Sequence, residues 1–269
     1  MVLVSKINLQ GERKLEMKKK ILLILGSLLL IFVLVMAIIV IKDRNKVAIL
    51  GYHSVMPRAI NTTGDNLIVD SEKFEKELKI LKLLGYKTMT IDEYYCWKNK
   101  QCKKEGKQVL ITFDDGYNNN YEYAYPLLKK YQMNATVFCV GSYVMGDGIL
   151  HMNKETLDKV RKEYPNIDIA SHSYAMHFHS EKTYDEVTED INKMKSLIDT
   201  EYYAYPFGDW NEEYIRALKD NGYKMAFTFG PSREHRKSDL KDDNYKVPRL
   251  NISNDMPMYK FILRLILPM

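Results

Sequence analysis

Two adjacent carboxylates, Asp114 and Asp115, close the apolar run QVLITF at positions 108–113 and are followed at once by Gly116 and Tyr117. Neighbouring residues of an extended chain point in different directions, so the two do not easily share one job, while one can bind a metal as its neighbour acts as a base. An isolated Asp-Asp-Gly is explained equally well as a cap and turn opening a helix at Asn118, which shifts the weight to the other apolar runs. The run IDIAS ends in His172, and His177 follows five residues later. At about 100° per residue these two lie on different faces of a helix, unlike an HExxH pair, whereas a loop can turn both imidazoles toward one ion. With Asp115 they make a two-histidine, one-carboxylate set that leaves positions open for water and a carbonyl, which suits metal-assisted hydrolysis. His179 competes with His177 for its place, while His151 and His235, in polar segments, read as structural histidines. A further run ends in Tyr205-Pro206-Phe207-Gly208. Its backbone N–H groups can face a developing oxyanion and its rings can line a sugar site, although a plain strand-to-helix turn has the same composition.

These residues share a position: each ends a short apolar run. From Val47 onward such runs alternate with amphipathic segments, as expected of βα units and a parallel sheet. The expected strands are VAILGYH, YKTMTI, QVLITFDD, ATVFCVG, IDIASHS, YYAYPFG, KMAFTFG and YKVPRLNI. Helices are expected over Ser71 to Leu84, capped by Ser71 and stopped by Gly85, and over 118–131, 154–164, 184–199 and 211–221. This many units in one domain suits a closed or incompletely closed (β/α) barrel, in which chemistry sits at the carboxyl ends of the strands. Neither GxGxxG nor GxxxxGK[ST] occurs, so nucleotide chemistry falls away.

Residues 21–41, ILLILGSLLLIFVLVMAIIVI, are uncharged and long enough to cross the ~30 Å of a bilayer as one helix. Lys18, Lys19 and Lys20 precede them, and the positive-inside tendency sends everything after Lys42 out of the cell. The run exceeds a signal-peptide core and no small-residue cleavage site follows it, so an uncleaved single-pass anchor in the cell membrane is expected. This gives a basic cytoplasmic segment (1–20), an anchor (21–41) and an extracellular domain (42–269). The net charge of +5 is carried by residues 1–46, which hold nine Lys/Arg against three Asp/Glu. The near-neutral remainder gives no footprint for nucleic acid, and none is expected as a partner. Cys96 and Cys102 are close enough in sequence to bridge in an oxidising compartment, Cys139 reads as core, and no CxxC pair offers a metal site.

Taken together, TFDDGY at 112–117, SHSYAMH at 171–177 and YPFG at 205–208 resemble the polysaccharide deacetylases of carbohydrate esterase family 4, and the likeness covers most of residues 47–269. The resemblance implies a distorted (β/α) barrel and a divalent metal, often Zn²⁺, held by Asp115, His172 and His177. It also implies Asp114 as general base, Tyr205 to Gly208 at the substrate, and an N-acetylated polysaccharide as substrate. The commoner pattern has Arg two positions before the proline, where this chain has Ala204; Arg249 in KVPRLNI is the expected substitute that steadies the base. The commoner pattern also takes a catalytic histidine from a late strand, yet no histidine follows His235. His53, ending the run ILGYH, can replace it, because first and last strands are neighbours in a closed barrel. As general acid it would protonate the departing amine. This shifted order looks like the branch that deacetylates poly-β-1,6-N-acetylglucosamine in biofilms. No tryptophan motif is found; Phe227 or Phe229 is the expected lining of an acetyl pocket. Two alternatives stand beside this reading. A glycoside hydrolase needs carboxylates about 5–10 Å apart across the bond, which adjacent aspartates fit poorly. A non-catalytic carbohydrate-binding domain would have lost the ligands or the base.

Overall fold

The computed structural model describes residues 2–176, 182–229 and 236–268, with side chains from residue 16 onward. The chain divides into two compact units, Met1–Arg44 and Asn45–Met269. The first is one helix, α1 (Val2–Asp43), whose stretch Glu16–Asp43 is long and apolar enough to cross a membrane. The side chains of Leu22, Leu23 and Leu29 on it are exposed.

In the second unit the strands are β1 (Lys46–Tyr52), β2 (Ser54–Met56), β3 (Ile68–Asp70), β4 (Tyr86–Thr88), β5 (Lys107–Phe113), β6 (Ala135–Cys139), β7 (Ile167–Ser171), β8 (Tyr202–Ala204), β9 (Met225–Thr228), β10 (Ser238–Asp239), β11 (Val247–Pro248) and β12 (Leu250–Asn251). The helices are α2 (Ser71–Leu83), α3 (Ile91–Lys98), α4 (Tyr125–Tyr131), α5 (Gly141–Val144), α6 (Lys154–Glu163), α7 (Tyr184–Lys195), α8 (Glu212–Asp220) and α9 (Met258–Ile266). The sheet runs β1-β5-β6-β7-β8-β9-β11 in parallel, and β12 returns to pair with β1, Leu50 opposite Leu250 and Gly51 opposite Asn251. The ring is thus nearly closed, a distorted (β/α) barrel, with β4 added beside the start of β5 and β10 antiparallel beside the start of β1.

Strands covered on both faces read as continuous apolar runs, and β1 and β5 are buried beyond their first residues. Alternate residues serve two layers. Ile49, Leu110, Phe138, Ala170, Ala204 and Phe227 pack with one another. Leu50, Ile111 and Val137 pack with Phe74, Leu78 and Leu128 of the surrounding helices.

Several expected elements are redrawn. Asp70, not Ser71, is the N-cap residue of α2, and Ser71 is its first helical residue. The helix expected from Asn118 opens as a π-turn over Asn120–Ala124 before α4. Pro126 at its joint has no N–H to continue an i→i−4 ladder, and the Tyr125 N–H reaches back to the Asn120 carbonyl. The run YKTMTI stops as a strand at Thr88, because Thr90 and Glu93 form a reciprocal capping box that starts α3. The segment 184–199 is helical only to Lys195. YKVPRLNI breaks into β11 and β12 around Arg249, whose N–H donates to the Thr228 carbonyl (3.1 Å), so the chain leaves β9 and crosses to β1. Cys96 and Cys102 are paired as a disulfide and Cys139 is buried.

Candidate active site at the carboxyl ends of the strands

Three of the turns that leave the barrel strands hold a non-glycine residue in the left-handed region: Asp115 (φ 68°), Ser173 (φ 74°) and Phe207 (φ 59°). Such backbone costs about 1–3 kcal/mol per residue and persists where the surroundings over-determine it. Lys100 and Gln132, also at positive φ, sit instead at helix ends.

After β5 the Asp114 N–H donates to the Tyr52 carbonyl (2.9 Å), continuing the ladder with β1, and the left-handed Asp115 and Gly116 then reverse the chain. This splits the two carboxylates. Asp114, 1 % exposed, faces Arg249, which is fully buried. The guanidinium grips it in a fork, Nη1 to Oδ1 at 2.6 Å and Nη2 to Oδ2 at 2.8 Å, and Nη1 also reaches the Thr112 hydroxyl at 3.3 Å. Burial alone would raise the Asp114 pKa; Arg249, with His172 and His53, outweighs it and holds the carboxyl below its ordinary value. Arg249 lies over the Phe229 ring, 4.1 Å from its centroid.

Asp115 turns the other way, its Oδ1 3.4 Å from His172 Nε2. The His172 Nδ1 is 2.8 Å from the Ala204 carbonyl and, having only an acceptor there, carries the proton and donates. Neutral imidazole in this tautomer presents the Nε2 lone pair to a carboxylate oxygen. Two acceptors facing each other at that distance call for a positive charge between them. Burial lowers the His172 pKa, yet Asp114 and Asp115 more than reverse it, so the place favours positive charge. An Nδ1–H held by a backbone carbonyl is also the usual support of a histidine ligand. The donor set therefore fits a divalent cation. His177, the expected third ligand, and His179 lie outside the described residues, and among those described no trio of His, Cys, Asp or Glu is arranged for a metal.

His53 leaves β1 toward the same centre. Its ring stacks on Phe229 (centroids 5.9 Å, interplanar 16°), and its pKa is lowered, chiefly by burial, with Asp114 and Asp115 opposing. Its Nδ1 has no hydrogen-bond partner among the described residues. Of the two phenylalanines expected at an acetyl pocket, Phe229 stands here, between His53 and Arg249; Phe227 is fully buried between Phe138 and Tyr94.

The turn Tyr205–Gly208 differs from the expectation. The Tyr205 N–H donates to the Phe227 carbonyl and the Gly208 N–H to the Tyr205 carbonyl, both at 2.9 Å, and Pro206 has none, so three of its four positions offer no free donor. The Tyr205 ring is buried, its hydroxyl on the Tyr245 carbonyl, so it lines no sugar site; Phe207 is 46 % exposed. His151 packs between Tyr117 and Tyr143, with centroids at 4.8 and 4.0 Å; His235 lies outside the described residues.

Two holders of the site are not evident from the sequence. Asn120, fully buried in the π-turn, donates to the His53 carbonyl (2.7 Å) and accepts from the Val55 N–H (2.9 Å). Asp190 of α7 accepts from the Tyr174 and Ala175 N–H groups, both at 2.8 Å, and from the Ser173 hydroxyl, fixing the loop that follows His172. Its signal is an acid on the buried face of an amphipathic helix, beside Val187, Ile191 and Met194.

The profile of the family described as polysaccharide deacetylase matches residues 101–226. YxkH of Bacillus subtilis, provisionally named a polysaccharide deacetylase, is 32% identical over 217 residues, covering 78% of this chain and 73% of YxkH. The poly-beta-1,6-N-acetyl-D-glucosamine N-deacetylase of Staphylococcus epidermidis is 30% identical over 241 residues, 79% of this chain and 81% of that one. In fold the chain is similar to the Streptococcus pyogenes deacetylase PplD (TM-score 0.71, 20% identity, 82% of this chain and 98% of that one). It is likewise similar to IcaB from Ammonifex degensii (TM-score 0.67, 20% identity, 82% and 96%).

Proposed function

Because the chain belongs to the polysaccharide deacetylase family, we propose that it hydrolyses N-acetyl groups from N-acetylglucosamine residues of a cell-surface polysaccharide, poly-β-1,6-N-acetylglucosamine or peptidoglycan. The observation that carries the reading is the buried Asp114–Arg249 pair set beside Asp115, His172 and His53 at one end of the barrel. The order of these groups, with the histidine coming from the first strand, and the likeness to the S. epidermidis enzyme favour the poly-N-acetylglucosamine substrate.

In this mechanism Asp115 and His172, with His177 as third ligand, would hold a divalent cation, Zn²⁺ by its preference for such a set. When bound, the cation supplies the Lewis acidity that polarises the acetamide carbonyl and acidifies water. Asp114 takes a proton from the attacking water; gripped through both oxygens by Arg249, it stays ionised and aligned for that transfer. His53 delivers a proton to the amide nitrogen as the C–N bond breaks, leaving acetate and a free glucosamine amine. Phe229, flat against His53, keeps that ring oriented and dry. The Tyr205–Gly208 turn borders the substrate, with Phe207 as its exposed ring and the Tyr205 and Gly208 N–H groups engaged within the fold. The α1 helix serves as a single-pass anchor that places residues 42–269 outside the cell, where both candidate polymers lie.

Acetate release from an N-acetylglucosamine polymer should vanish on chelation and return with Zn²⁺. Asp114→Asn should abolish turnover and retain the metal, whereas His172→Ala should lose the metal. Full activity in metal-free enzyme sinks the mechanism, and the reverse mutant pattern exchanges the two roles. A carboxylate fully engaged by an arginine beside its immediate neighbour offers no pair flanking a glycosidic bond, so the geometry does not favour a glycoside hydrolase.

A further inference from the structure

The catalytic groups occupy one end of the barrel; the other end has its own chemistry. Helix α9 buries Phe261, Arg264 and Leu265, and its outward face, where a surface helix ordinarily carries polar residues, presents Tyr259 (67 % exposed), Leu263 (40 %) and Ile266 (37 %). These stand at i, i+4 and i+7, one stripe. Two bonds tie the carboxyl end of α9 to the amino ends of the strands. The Tyr86 hydroxyl, at the start of β4, donates to the Leu265 carbonyl, and Lys46 Nζ, at the start of β1, donates to the Pro268 carbonyl (2.8 Å). The same corner holds Leu83, 84 % exposed at the end of α2. Its cations are Lys46, Lys104, whose Nζ reaches the Lys46 carbonyl (2.8 Å), and Lys107, whose Nζ reaches the Leu84 carbonyl (3.2 Å); Glu105 and Asp239, opposite Lys46 on β10, are acids beside them.

Lys46 is also three residues past Asp43, the last residue of the apolar helix α1, and three residues of chain span at most about 11 Å. An apolar stripe ringed by lysines, at the point where the chain emerges from a membrane-length helix, has the composition of an interfacial lipid-binding face. We propose that this base of the barrel, the outer face of α9 with Leu83 and the lysines around it, rests on an anionic lipid bilayer. The proposal rests on the reading of α1 as an anchor. Strands β1 and β5 each run seven residues from the base to His53 and Asp114, so the catalytic end would stand roughly 23 Å off the lipid, facing the polymer.

The test uses the full chain in phosphatidylglycerol-containing vesicles, with and without brominated acyl chains, and a Leu263→Trp reporter; Ile266→Trp serves if the first variant melts below the parent. The parent emission, from Trp97 and Trp210, is the baseline. At the ~5–10 Å depth of an interfacial helix face, the added emission of the variant should fall by about half in brominated vesicles. Vesicles are then washed with alkaline carbonate. Quenching with retention supports both the docked face and the anchor. Retention without quenching overturns the docked face and leaves the anchor. Quenching with release overturns the anchor and leaves the docked face, and release without quenching overturns both. An unquenched reporter whose emission shifts blue with protein concentration assigns the stripe to a second copy of this chain, against the proposal.

Discussion

Replacing Arg249 with methionine isolates the pair at the centre of the site. Both partners are buried, Arg249 at 0 % and Asp114 at 1 % exposure, so solvent screening gives little relief, and the variant leaves a buried carboxylate without its cation. Removing one partner of such a pair costs about 3–5 kcal/mol. At 1.36 kcal/mol per unit, the same energy corresponds to an upward shift of the Asp114 pKa by roughly 2–4 units. In the parent the carboxyl is held below its ordinary value, so its contribution to stability is present above the unfolded pKa and is lost as pH falls through the folded one. In Arg249→Met the sign reverses: the folded pKa is raised, and the deficit is full at neutral pH and shrinks as acid protonates the carboxyl. Urea unfolding of parent and variant between pH 4 and 8 reads the stability difference, and acetate release across the same range reads an acid limb displaced upward. The double variant Asp114→Asn with Arg249→Met should recover most of the lost stability and none of the activity. A deficit that does not change with pH, or a double variant no more stable than Arg249→Met, would refute the reasoning.

Glu77 is fully buried against the Tyr52 hydroxyl (3.0 Å), with Lys73 at 3.9 Å, and burial raises its pKa from 4.5 to about 7. Its proton is held more tightly in the folded chain, so this contribution is full below about pH 4.5 and is lost as pH rises through about 7, a change of about 3 kcal/mol; Glu77→Gln should flatten that slope in urea melts, and an unchanged slope assigns it elsewhere. Asp190→Ala strips the acceptor from two loop N–H groups and should cost about 1–3 kcal/mol. It should also weaken Zn²⁺ binding about 10–100-fold, checked by competition with a chromogenic chelator; parent affinity in the variant removes Asp190 from the supports of the ligand loop. Gly51→Ala puts a methyl 2.7 Å from the Phe229 ring. Displacing that ring from His53 and Arg249 should lower kcat at a stability loss of about 1–3 kcal/mol, and full activity would show that Phe229 does not position them.

The barrel is legible because strands buried on both faces leave uninterrupted apolar runs, and the helices between them leave a separate period; β6, β7, β8 and β9 fall inside the expected segments, and β1 and β5 each begin one residue before theirs. What escapes the reading is local geometry that competes with pattern. Thr88, Thr90 and Ile91 suit a strand by type, yet the Thr90–Glu93 capping box turns the chain into α3. Helix α9 is absent from the expected elements, since its exposed face carries Tyr259, Leu263 and Ile266 where polar residues would have declared the helical period. The π-turn before α4 depends on Pro126 denying an N–H at one position, which periodicity does not register.

The site divides along the same line. Asp114, Asp115, His172 and His53 are legible because each is a polar residue at the end of an apolar run. The groups that hold them are not, since Asn120 and Asp190 look like ordinary helix polars until burial shows which way they face. Arg249 is the intermediate case, and it shows what does the joining. It stands 135 residues from Asp114, and no motif connects the two. Strand β1 does so, pairing with β5 through Gly51 and Thr112 on one side and with β12 through Gly51 and Asn251 on the other. Closing the ring on β1 therefore brings Arg249, from the last strands, together with Asp114 and with His53, the residue after the first strand. Under the proposed mechanism the late-strand histidine and the arginine near the proline both have their replacements, His53 and Arg249, at one place, the junction of the first and last strands.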